Sequence, residues 1–165
     1  MRWSLGLVLA CTRPAPEPVH DTAKPAAAFE LVYATYGLMP APKCGSPTYE
    51  IRIAGDRHVT CGWRSACPPY SEAAPLAPIA KGQLTASDVD ELATIATSRD
   101  FTALPEFASN PHIIDGGVER IEVTVGEHKK VVELANLDKP AFTALRDALQ
   151  ARTSCSLATA GPEPR

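Results

Sequence analysis

Signatures of familiar chemistry are scarce in this chain. It has no Gly-x-x-x-x-Gly-Lys-Ser/Thr loop and no Gly-x-Gly-x-x-Gly turn, so the backbone cradle that nucleotide phosphates need is missing. A Gly-x-Ser-x-Gly elbow is also missing; the nearest fragment, Cys44-Gly45-Ser46-Pro47, lacks the second glycine and precedes a strand. Basic clusters are absent too. The formal net charge is −3, and Lys129-Lys130 is the one adjacent basic pair, which argues against a nucleic-acid partner. Metal signatures fail in the same way. Cys61 and Cys67 stand in a Cys-x5-Cys spacing that zinc sites do not use, and no His-x3-5-His follows. The carboxylates Asp88, Asp90 and Glu91 fall where a helix begins, and the positive end of its dipole accounts for them without calcium. No metal and no cofactor is therefore expected.

What is present begins at the N-terminus. Arg2 forms a short positive region, Trp3 to Ala10 an uncharged apolar run, and Val8-Leu9-Ala10 places a small residue directly before Cys11. That order is the layout of a secretory signal, and the cysteine at the cleavage point resembles the lipobox of bacterial lipoproteins. The run is too short to span a bilayer, which takes roughly 20 apolar residues. The resemblance implies that residues 1–10 are removed and Cys11 is acylated, a membrane anchor by lipid. Residues 11–28 then form a Pro/Ala-rich spacer that cannot bury enough apolar surface to offset its ordering entropy. A single domain is expected over residues 29–155, with a flexible tail over 156–165. Setting Cys11 aside leaves Cys44, Cys61, Cys67 and Cys155, an even number that in an oxidising compartment reads as two disulfides.

Strands are expected at Phe29–Tyr36, Tyr49–Ile53, Val59–Trp63, Val118–Val125 and Val131–Leu134, from alternation and β-branched content. Pairing Ile53 with Val59, Ile51 with Cys61 and Tyr49 with Trp63 collects the apolar residues on one face, so the pattern selects that register. In it, residues 44 and 67 fall opposite each other beyond the hairpin mouth. Cys44–Cys67 is thus the preferred bridge, leaving Cys61 for Cys155. Residues 64–84 read as a long Pro-rich loop. Thr85-Ala-Ser-Asp88 reads as a capping box opening a helix over 86–98. Asp138 is expected to cap a last helix with Pro140 in its first turn and Phe142, Leu145 and Leu149 on its apolar stripe. The fold expected is α+β: an antiparallel sheet of about five strands with two helices on one face.

The run Gly37-Leu-Met-Pro, then Pro47-Thr-Tyr49-Glu-Ile-Arg-Ile-Ala-Gly-Asp56, then Asp115-Gly-Gly and Ile121-Glu-Val-Thr-Val, resembles an uncharacterised family of bacterial envelope lipoproteins. Their domain reads Cys-Pro-x-Tyr-x-(Val/Ile)-x-Ile-x-x-Asp-Gly before its first hairpin turn. Here Ser46 stands at the cysteine and Arg57 at the turn glycine. The resemblance implies a fold and an envelope location, without catalytic residues. Among the histidines, His20 lies in the spacer, His58 and His128 in turns, and His112 in a loop with Asp115, whose following glycines are expected at positive φ. No catalytic residue is assigned. The expectation is a lipid-anchored, non-enzymatic envelope domain that binds a protein, peptide or cell-wall partner, with Tyr36, Pro68, Pro69 and Tyr70 as the candidate binding surface. Two alternatives stand beside it: an inhibitor or immunity-type module presenting the 64–84 loop, and a small hydrolase using His112 and Asp115.

Overall fold

A computed structural model describes residues 28–37, 48–64, 75–113 and 116–155. Chain order is β1 (Phe29–Gly37), β2 (Thr48–Ile53), β3 (His58–Arg64), β4 (Leu76–Gln83), α1 (Ala86–Ala96), α2 (Arg99–Thr102), β5 (Phe107–Ser109), β6 (Gly117–Val125), β7 (His128–Ala135) and α3 (Pro140–Arg152). The strands form one sheet in the order β4-β3-β2-β1-β6-β7-β5. Alternation decides its faces. Leu31, Tyr33, Ile51, Ile53, Val59, Cys61, Ile121, Val123, Val132 and Leu134 point to one side and meet Val89, Leu92, Phe101, Phe142, Leu145 and Leu149 of the helices.

The β2–β3 register is the one the apolar pattern selects: Tyr49 lies opposite Trp63, Ile51 opposite Cys61 and Ile53 opposite Val59. Tyr49 and Trp63 meet edge to face with ring centroids 5.2 Å apart, a favoured aromatic geometry. The expected capping box is also present, with Asp88 N–H donating to the Thr85 hydroxyl and Thr85 N–H to the Asp88 carboxylate.

The sheet is not the expected five-stranded antiparallel one. Among the described residues it has seven strands and is mixed, and three helices pack on it rather than two. Residues 76–83, expected to lie in a loop, are the edge strand β4. Pro78 is tolerated there because an edge strand has one side with no ladder to complete. Its side chains are mostly exposed, so no alternation marks it. The β3–β4 register shifts at Cys61/Gly62, and a Cβ on Gly62 would sit 2.0 Å from the Ala77 carbonyl oxygen. Only glycine lets the edge strand approach there. Strand β5 makes the sheet mixed: it is three residues long and runs parallel to β7. Helix α2 is a single turn capped by the Ser98 hydroxyl, and it drives Phe101 into the core.

Cys61 and Cys155 form a disulfide with Cα atoms 5.9 Å apart, across a sequence separation of 94. Both are buried, and the Tyr49 hydroxyl donates to the Cys155 carbonyl at 3.1 Å, so the segment after α3 is fixed to the sheet at that point. Cys44 and Cys67 lie outside the described residues, and so does the expected bridge between them.

Candidate functional site: a polar cleft at one end of the sheet

The ends of β1 and β7, the start of β6 and the approach to α3 enclose an open cleft of about 500 Å³, lined by Thr35, Tyr36, Glu119, Asn136 and Asp138 among others. Cavities of this size suit a small ligand or a short segment of a partner. The β1 alternation sends Tyr33 and Tyr36 to opposite faces, as their three-residue spacing requires. Tyr33 is buried on the helix side, and its hydroxyl donates to Glu119 Oε1 at 2.6 Å. Arg146 of α3 completes the arrangement by donating from Nη1 to Glu119 Oε2 at 3.0 Å. Burial, reinforced by the Glu119 hydrogen bond and charge, pushes the Tyr33 hydroxyl far above the ordinary phenol range. Glu119 is therefore held by a neutral donor and a guanidinium.

Tyr36 faces the other side of the sheet. Its hydroxyl is pushed up to about 12, first by burial and then by the charge and hydrogen bond of Glu133, with Arg120 opposing. Asn136 closes the cleft floor in the left-handed region, at φ 52°, a conformation asparagine tolerates better than most residues. Its Oδ1 accepts from Gly117 N–H at 3.1 Å, and its own N–H donates to the Gly117 carbonyl at 3.2 Å. Its buried Nδ2 has no hydrogen-bond partner among the described residues. The amide also lies against Gly116, where a Cβ would meet Oδ1 at 1.6 Å. Gly116 and Gly117 do not adopt the positive φ expected of them. Gly116 is required for room instead.

Asp138 does not cap α3. The capping position is Lys139, which makes no side-chain cap bond, and Pro140 follows at the helix start. Released from that role, the exposed Asp138 carboxylate stands at the cleft rim and makes no hydrogen bond or ion pair with the described residues.

Of the surface expected from sequence, Tyr36 lines the cleft, while Pro68, Pro69 and Tyr70 lie outside the described residues, as do Cys11 and His20. His112 is exposed, and its backbone N–H donates to Asn110 Oδ1 at 3.1 Å, an asparagine turn. Asp115 is outside the described residues, and so is the expected His112–Asp115 pair. His58 and His128 are exposed, and their turns lie at the same end of the sheet, because β2 and β6 both run antiparallel to β1. His58 Nδ1 pairs with Asp56 at 2.8 Å. Among the described residues, no group of three or more His, Cys, Asp or Glu is arranged to hold a metal ion.

Sequence reasoning missed Glu119, Asn136 and Asp138. Glu119 left a trace, because it sits two residues before Ile121 on the inward side of β6, an odd place for a carboxylate without a partner. Comparison of the chain with protein-family models and with curated proteins returns no match.

Proposed function

We propose that this chain is a lipid-anchored domain of the bacterial cell envelope that binds a protein, peptide or cell-wall partner at the sheet-end cleft without transforming it. The observation that carries the binding reading is the cleft itself. It offers a spare acceptor, Asp138, beside an aromatic wall, Tyr36. It also holds a spare donor, the buried Asn136 Nδ2, which has no partner among the described residues. Glu119 is committed to Tyr33 and Arg146, and the Tyr36 hydroxyl titrates near 12, far from the neutral range in which a general acid or base works best. Such a site orients a ligand by hydrogen bonds and contact area.

The envelope reading draws on three further features. These are the leader ending at Cys11, the spacer behind it, and a buried Cys61–Cys155 disulfide of the kind that persists in oxidising compartments. The resemblance to envelope lipoproteins points the same way.

A photo-crosslinking residue at Leu137 in cells tests the site. Expected is a discrete adduct that weakens when Asp138→Ala is added and is missing when the crosslinker sits at exposed Ile79 on the far edge. Equal adducts from both positions would remove the cleft from consideration. For the anchor, Cys11→Ser should move the protein out of the membrane fraction; unchanged partitioning with an unmodified Cys11 would end the lipoprotein reading.

A further inference from the structure

We draw no further inference here: the strongest candidate, the buried patch around Thr48, Glu50 and Arg64 on the sheet face away from the helices, carries nothing because nothing in the structure shows what covers it.

Discussion

The two faces of the sheet are held by different physics. On the helix-covered face the core contacts are apolar and non-directional, the Tyr33–Glu119–Arg146 set apart, and their contribution scales with area removed from water. On the other face buried Val32, Ala34 and Val118 lie among charged side chains whose contacts are geometric. Glu50 is 0% exposed and Arg64 is 5% exposed. The Arg64 fork donates Nε to Glu50 Oε2 and Nη2 to Oε1, each at 3.0 Å, and Arg52 Nε adds a contact to Oε1 at 3.1 Å. Across β1, Arg120 pairs with Glu133 and Glu122, and Lys129 with Glu122. The row Gly62–Glu50–Ala34–Arg120–Glu133 runs directly across five strands. Its small members, Gly62 and Ala34, leave room for the long charged chains beside them. One face therefore tolerates volume-conserving change, whereas the other depends on which partner is left behind.

The largest effect expected falls on the helix-covered face and is covalent. Converting both Cys61 and Cys155 to Ser frees a cross-link spanning 94 residues, which the chain-entropy model values at about 4 to 5 kcal/mol. Urea midpoints under non-reducing conditions read it. A loss near zero would mean that packing and the Tyr49 hydrogen bond hold Cys155 beside β3 without the cross-link.

Next comes Glu50→Ala on the charged face. It takes the Glu50 carboxylate away from the buried Arg64 fork, at an expected cost of about 3–5 kcal/mol, whereas replacing Glu50 and Arg64 together by leucine should cost less than the single change. If the single substitution costs no more than a surface pair does, the contrast between the faces collapses. Leu92→Ala, in the middle of the apolar cluster, should cost about 3 kcal/mol from lost transfer energy and the cavity left behind. Unlike Glu50→Ala, no second substitution on the opposite side of the contact should rescue it.

Much of the helix-covered face was legible because its signals are local. Ile51, Ile53, Val59 and Cys61 alternate strictly, and a one-residue slip would separate them. Thr85 and Asp88 are three residues apart, the distance a capping box spans. The charged face was not legible. Glu50, Arg52, Arg120 and Glu122 occupy the polar half of each alternation, which reads as solvent, and Glu50 finds Arg64 only once the hairpin closes, 14 residues on. Edge strand β4 hid behind Pro78 and its exposed side chains, and β5 is too short to show a period. In the cleft, Tyr36 could be read as outward-facing from its spacing to Tyr33. Asp138 was concealed by its resemblance to a helix cap, a role the structure leaves without any side-chain bond at Lys139.

The smallest expected effect sharpens the comparison through pH. Burial alone would raise the Glu122 carboxyl, but hydrogen bonds from Lys129 and Arg120 and their charges outweigh it, and the group is held below its ordinary value. A carboxyl depressed in the folded state contributes stability that is complete above its unfolded value, near 4.3, and is lost as pH falls through the lower folded value. Glu122→Gln should therefore flatten the acid limb of the stability curve below about pH 5. The loss at neutral pH should be no more than about 1 kcal/mol, since Lys129 is largely exposed and water screens the pair. Urea midpoints from pH 3 to 7 measure both quantities. An acid limb unchanged by the substitution would mean that the Glu122 pairs add geometry to the charged face without adding stability.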